Sequence, residues 1–371
     1  MKHVKIASMV FLSFMVSACT STSVEPSLEV QQITEEVLET PILECTITTG
    51  EQTPLVREVS FAVVGDIMVH SYQYNEAYDW ETGTYDFSHN FQDMKEYFTG
   101  YDFVLGNLET TFGGYAADYP MFSTPDEFME TLVDAGFNVL STANNHSMDA
   151  GAAGVVRTLD VLDAAGMDHF GTYRSEEEQN EILIIEKNGL EVAFLSYTYG
   201  TNGLPVPEDY LVNVMNETTM VEQIRQAEEM ADLVVMMPHM GNEYESAPRE
   251  IHKAWIDLMI ESGADIIFAS HPHVLQPMEY RQIEQPNGEI TDGFVIYSLG
   301  NFISSQTDPP RNASIVLYLT VEQVGTDLPT VKEVEFMPIW TQFQNVNYQN
   351  HFVVRVAFTI CCLYQKKNKM Q

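Results

Sequence analysis

Positive charge is scarce in this chain. Across 371 residues, 17 lysines and arginines face 54 aspartates and glutamates, a formal net charge of −37. That balance excludes binding nucleic acid or an anionic membrane through a broad basic surface. A polyanion would need a focused positive feature, such as a bound metal. Cysteine is scarce too. Cys19, Cys45, Cys361 and Cys362 are too few and too unevenly placed for a disulfide framework or a structural zinc site. No apolar run approaches the roughly 20 residues that a helix needs to span a bilayer. What is present is a hydrophobic fraction of 45%, ordinary for a packed core, which excludes wholesale disorder.

The N-terminus reads as an export signal. Lys2 and Lys5 precede an apolar run, Ile6 to Ala18, that ends in Val16-Ser17-Ala18-Cys19. The run is too short to span a membrane but suits the apolar region of a signal peptide. Its end resembles the bacterial lipobox, in which the cysteine is diacylated and becomes the new N-terminus. The plainer alternative is an ordinary signal peptide cut nearby, with Cys19 incidental. The resemblance implies a lipoprotein signal peptide over 1–18, lipid attachment at Cys19, and an extracytoplasmic protein anchored to the bacterial cell membrane without crossing it. Residues 19–57 are rich in Ser, Thr, Pro and Glu and lack apolar periodicity, so they read as an acidic flexible tether.

Residues 58–348 alternate strand and helix patterns. Apolar runs mark strands at Phe61–Val64, Phe103–Leu105, Val139–Leu140, Ile182–Ile185, Val192–Leu195, Leu233–Met237, Ile266–Ala269, Phe294–Tyr297 and Ile315–Leu319. Continuous runs of this kind suit strands covered on both faces. Helical spacing appears at Asp126–Ala135, Ala152–Ala165, Thr218–Ala231 and Arg249–Ser262. The alternation predicts a layered α/β fold in one large domain. Residues 349–371 read as an uncertain C-terminal strand, centred on Phe352-Val353-Val354, followed by a basic tail.

Chemistry-bearing residues gather at predicted strand ends. Gly65-Asp66-Ile67-Met68-Val69-His70 follows the first strand and Gly106-Asn107-Leu108-Glu109 the second. Asn144-Asn145-His146-Ser147-Met148-Asp149, Pro238-His239-Met240-Gly241-Asn242-Glu243 and Ser270-His271-Pro272-His273 follow three more. In α/β sheets, ligands bind beyond the carboxyl ends of the strands. Carboxylate and amide oxygens mixed with imidazoles suit divalent metals. Each motif alone has a bland alternative: Asp66 as a turn residue, Glu109 as a solvated acid, His239 as a structural histidine, and Asp149 as the N-cap of the helix that follows it. Together they point to one site. His252 reads as a surface or core residue, and His89 and His169 show no evident partner.

The ordered set GDIM, GNLE, NNHSMD, HMGNEY, SHPH and Tyr297-Ser298-Leu299-Gly300-Asn301-Phe302 resembles the CapA family of poly-γ-glutamate capsule synthesis proteins, within the calcineurin-like metallophosphoesterase superfamily. The resemblance covers about Phe61 to Phe302. It implies a metallophosphoesterase-like β-sandwich flanked by helices, and two divalent ions from among Mn, Fe, Zn and Mg. Asp66 and His273 would serve the first ion, Glu109 would bridge, and Asn145, His239 and His271 would serve the second. His146 would protonate a leaving group or steady the phosphoryl oxygens. His70, Asp149, Glu243 and Asn301 would support ligands or touch substrate. Two departures stand out: Met68 occupies the place of a usual histidine, and Glu109 replaces the usual aspartate. A thioether is a poor ligand for a hard ion. His70 is a candidate substitute. The resemblance implies a metal-dependent hydrolase acting in capsule or envelope polymer production. Its expected partners are an anionic polymer or phosphoester substrate and membrane-bound synthase subunits, with no nucleic acid. An amide substrate, a non-catalytic accessory role, and a broad extracytoplasmic nucleotidase remain open alternatives.

Overall fold

A computed structural model of the chain describes residues 54–285, 288–346, 349–357 and 362–363. The signal segment, Cys19 and nearly all of the tether lie outside the described residues. All described residues belong to one unit, Thr53–Gln371. Among them, no helix is long and apolar enough to cross a membrane.

The chain starts one sheet, leaves it to build a second, and returns to finish the first. Strands β1 (Val56–Ile67), β2 (Phe103–Leu108), β3 (Val139–Ser141) and β4 (Asp168–Phe170) run parallel. The second sheet is built from β5 (Leu183–Lys187), β6 (Leu190–Leu195), β7 (Leu233–Met236), β8 (Ile266–Phe268), β9 (Met278–Glu284) and β10 (Ile290–Ile296). Its order is β9-β10-β8-β7-β6-β5. Strand β11 (Asn301–Ile303) then pairs in parallel with β1. Antiparallel β12 (Ala313–Val324), β13 (Thr330–Val346) and β14 (Gln349–Val356) complete the first sheet, in the order β14-β13-β12-β1-β2-β3-β4. The two-residue strand Cys362–Leu363 also pairs with β13. The sheet thus runs past residue 348, where the sequence reading ended the domain, because β14 pairs with β13 along its length.

The helices are α1 (Ser71–Ala77), α2 (Glu127–Ala135), α3 (Gly151–Ala164), α4 (Glu217–Met230) and α5 (Glu250–Glu261), with shorter turns between them. Three apolar layers hold the elements together. Phe61, Val63, Phe103 and Leu105 of the first sheet meet Phe194, Val235, Phe268 and Phe294 of the second. On the outer face of the first sheet, Val64 and Val104 meet Phe128 and Leu132 of α2 and Leu159 and Leu162 of α3. On the outer face of the second, Leu195, Met236 and Ile267 meet Ile224 of α4 and Ile256 and Met259 of α5. The result is an α/β sandwich flanked by helices, as expected. It also explains why the strands read as unbroken apolar runs: both faces of each central strand are covered. Each fully buried Phe contributes about 1.5–3 kcal/mol by its removal from water.

Candidate metal centre

The five motifs fall at the carboxyl ends of β1, β2 and β3 in one sheet and β7 and β8 in the other. Asp66 lies near the end of β1, where the pairing with β2 shifts register between Val63 and Asp66. Irregularities of this kind re-aim a side chain beside a site. The backbone approach there is close. Asp66 N donates to Gly300 O at 2.9 Å, and a Cβ on Gly65 would stand 1.8 Å from that same oxygen. Only glycine fits at position 65.

Asp66 and Glu109 are both fully buried. Asp66 Oδ2 lies 3.2 Å from His273 Nδ1, and Asp66 Oδ1 lies 4.0 Å from His239 Nδ1. Glu109 Oε1 lies 3.5 Å from His239 Nε2 and 3.8 Å from His273 Nε2. Asp66, Glu109 and His273 form one group of ligand-type atoms, and Glu109, His239 and His271 form a second. Glu109 is common to both. Asn145 Oδ1 joins the second group, 2.7 Å from His239 Nε2. Exposed Glu243 forms a further group with His271 and His273.

The electrostatics mark a place prepared for positive charge. Burial alone would raise the Asp66 carboxyl, but the hydrogen bond and charge of His273, the charge of His239 and the Asn107 amide hold it below the usual carboxylate range. Glu109 lacks such compensation: burial, then the Asp66 charge, push it well above the usual range. Burial and the charge of His271 push His239 well below the ordinary imidazole value, and burial and the charge of His273 push His271 down to about 3. Neutral imidazoles are the ligand form. Glu109 Oε1 and His271 Nδ1 are buried with no hydrogen-bond partner. Such orphaned atoms are costly unless something fills the gap. The donor set of oxygens and imidazoles therefore fits divalent cations.

Backbone strain serves the same arrangement. His271 and His273 have φ of 104° and 58°. Each such non-glycine conformation costs of order 1–3 kcal/mol and persists where its surroundings over-determine it. Pro272 stands between them, and the rings come to 6.0 Å of each other and, for His271, 4.9 Å of His239.

The supporting groups are equally specific. Asn301, beside Asp66 in the β1–β11 pairing, lies 3.0 Å from His273 Nδ1 through Oδ1. Asp149 is not the helix cap that the sequence suggested; that position falls to Ala150, without a side-chain bond. Instead Asp149 Oδ2 accepts from Phe122 N at 2.6 Å and lies 2.7 Å from His146 Nδ1. Its carboxylate is turned away from the helix to orient an imidazole. Met68 is buried, and its thioether is a poor ligand for a hard ion. Among the described residues, no group of His, Cys, Asp and Glu ligand atoms includes another imidazole at that place. Nor does any include His70. Its Nδ1 pairs with Asp118 at 3.1 Å, its ring stands edge-on to Phe122, and burial drives its pKa down to about 4. Phe122 in turn stands edge-on to His146.

Asn107 escaped the sequence reading. Its Nδ2 lies 2.8 Å from Asp66 Oδ1, 3.5 Å from Glu109 Oε2 and 3.1 Å from His239 Nδ1, while its Oδ1 accepts from Asn144 at 3.2 Å. Ser270 Oγ, 2.9 Å from His239 Nδ1, was missed as well. The available signal was an amide inside a strand whose six residues are all buried. His89 and His169 do have partners: His89 lies 2.7 Å from Glu76, and His169 lies 3.0 Å from Asp163. Those carboxylates come from segments that no local motif connects to the histidines.

Residues 60–306 match the family of bacterial capsule synthesis proteins PGA_cap. The capsule biosynthesis protein CapA of Bacillus anthracis is 31% identical over 263 residues, covering 67% of this chain and 60% of that protein. The PGA biosynthesis protein CapA of Bacillus subtilis is 30% identical over 282 residues, covering 72% of this chain and 70% of that one. The chain therefore spans only part of the length of these relatives. Among solved structures, the calcineurin-like phosphoesterase YfkN from Bacillus subtilis aligns over 84% of this chain and 90% of its own, at 15% identity and a TM-score of 0.35. On the match over residues 60–306 and the relative that is 30% identical across 70% of its length, this chain belongs to the bacterial capsule synthesis protein family PGA_cap.

Proposed function

We propose that this protein is a metal-dependent hydrolase of the phosphoesterase type, acting in capsule, poly-γ-glutamate or envelope polymer production. It would work outside the cytoplasm, held to the membrane by a lipid on Cys19, beside membrane-bound synthase subunits. The observation that carries the reading is the position of Glu109, shared by two groups of buried ligand-type atoms. Asp66, Glu109 and His273 would hold one divalent ion, and Glu109, His239, His271 and Asn145 a second, with Mn, Fe, Zn or Mg as the candidates. Such a pair supplies an activated water and neutralises charge on the reacting oxygens.

The chain's own groups supply the rest. His146 is steered through Nδ1 by Asp149, which leaves Nε2 for proton delivery. Water adds to phosphorus, the ester P–O bond breaks, the departing oxygen takes the His146 proton, and the proton that the water gives up restores the ring through solvent. Asn107 and Asn301 hold Asp66 and His273 in place, the kind of support that fixes ligand orientation. The anionic substrate, phosphoester or γ-glutamyl polymer, would be held by the cations, since the chain has little positive charge of its own.

The test uses the full chain loaded with each metal in turn, assayed on a chromogenic phosphodiester and on poly-γ-glutamate. His146→Ala should lower kcat by about 10²–10⁴-fold with metal content unchanged. The reading fails if the loaded protein cleaves neither substrate while Asp66→Ala and His271→Ala still support capsule formation. That result favours a non-catalytic accessory of the synthase, a reading supported by buried Met68 in the place of a customary imidazole.

A further inference from the structure

We propose a second, peripheral metal site formed by Glu76, His89 and His351, separate from the buried centre and suited to a borderline divalent ion such as Zn²⁺. The three residues come from distant parts of the chain: Glu76 from α1, His89 from the 3-10 turn Ser88–Phe91, and His351 from β14. Their ligand-type atoms lie together. Glu76 Oε1 is 2.7 Å from His89 Nε2 and 2.5 Å from His351 Nδ1. Two imidazoles and one carboxylate form a recurrent three-residue ligand set for zinc that leaves a coordination position open.

Three features separate this cluster from a simple ion pair. First, the Glu76 side chain is only 4% exposed, and its Oε1 accepts no hydrogen bond despite the two nitrogens beside it. Neither contact is a hydrogen bond, so Oε1 keeps its lone pairs for another partner on the side of the two rings. Second, the remaining carboxylate oxygen is already committed, because Phe352 N donates to Glu76 Oε2 at 3.2 Å. That bond fixes which oxygen faces the imidazoles. Third, Asn90 bears on the His89 tautomer. Asn90 Nδ2 donates to Phe352 O at 2.5 Å, so the amide nitrogen is assigned to that side. The same nitrogen lies 3.1 Å from His89 Nε2 and presents only N–H to it. His89 Nε2 therefore carries a lone pair, which accepts that N–H here and which an ion would take over by displacing the amide. The His89 and His351 side chains keep 27% and 31% exposure, so an ion has access from solution. Binding would open the N···O separations to about 3 Å, as ligands of one ion require, through rotation of partly exposed side chains. Such an ion would tie the last long strand of the first sheet to the segment that follows the Asp66 motif.

The experiment uses the full chain, stripped with a chelator and titrated with Zn²⁺ and Co²⁺ at neutral pH. The readouts are metal equivalents retained after desalting, the Co²⁺ visible spectrum, and the rise in Tm on adding Zn²⁺. Glu76→Gln and the double variant His89→Ala/His351→Ala should each retain one equivalent fewer than the unmodified chain and lose part of the Tm rise. Asp66→Ala should keep that equivalent, so this site and the buried centre are read separately. Equal metal retention in Glu76→Gln and the unmodified chain, with the same Co²⁺ spectrum, overturns the proposal and leaves a hydrogen-bonded cluster only. Glu76→Gln preserves size and decides the matter if the double variant fails to fold.

Discussion

Imidazole and carboxylate groups meet at two places in this fold, and their surroundings differ. At the strand ends, Asp66, Glu109, His239, His271 and His273 are all buried, and Asn107, Asn301 and Ser270 hold them. At the sheet margin, the Glu76 side chain is nearly covered, but those of His89 and His351 remain a quarter to a third exposed. The first group rests on strand termini and on two strained histidine backbones; the second joins a short helix, a turn and a late strand. The difference suggests a division of labour. A buried, braced constellation is preorganised for chemistry, where misplacement by an ångström is costly. A half-exposed cluster across distant segments is placed to clamp structure.

Four outcomes break or sharpen that contrast. The largest effect is expected from Asp66→Ala, which should reduce hydrolysis by more than about 10²-fold and empty the buried centre. Elemental analysis should still find the equivalent assigned to Glu76. Loss of both together would erase the distinction between the sites. Gly65→Ala comes next. Its Cβ would meet a backbone oxygen at 1.8 Å, so the chain must shift or unfold. A loss of about 3 kcal/mol or more in urea unfolding is expected, and a loss under about 1 kcal/mol would mean that the close approach of β1 to Gly300 is wrong.

Asn107→Ala should weaken metal affinity of the buried centre by about 10–100-fold without touching the peripheral cluster, as competition with a coloured chelator would measure. The smallest effect concerns pH. His271 and His70 have folded pKa values near 3 and 4, below the ordinary 6.5. The unfolded chain therefore takes up protons near pH 6.5, while the folded chain does not until about pH 3–4. Their contribution is complete above pH 6.5 and is lost as pH falls toward 4. Glu109, raised in the fold, acts in the opposite sense: its contribution is present below 4.5 and lost as pH rises. For the chelated chain, His271→Ala should flatten the decline between pH 6.5 and 4 by at most about 1.4 kcal/mol per pH unit. An unchanged slope would show that His271 is not held neutral by burial.

Much of the fold was legible because it follows from burial. Each of the nine predicted strands is present, since two-sided burial forces apolar runs such as Leu233–Met236. The four predicted helices shift by a residue or so, and α2 ends at Gly136, which takes φ of 109°. Functional residues at strand ends were legible because they interrupt those runs with Asp, Glu and His. Asn107 was not, because an amide one position from the end of a strand looks like any polar edge residue until its four neighbours are in place. Asp149 misled for a related reason. An aspartate before a helix is the usual cap, but here Phe122 N and His146 compete for it and win.

The sequence by itself determined the strand and helix alternation, the family through its ordered motifs, and which residue types arrive at the strand ends. These depend on local pattern and on chain order. Only the tertiary structure decided that Glu109 stands in two ligand groups at once, that Asp149 serves His146 rather than a helix, and that Glu76, His89 and His351 meet at all. Those facts depend on how the two sheets stack and how the last strand returns to the first sheet. They are contacts between residues far apart in the chain, and no local spacing encodes such a distance.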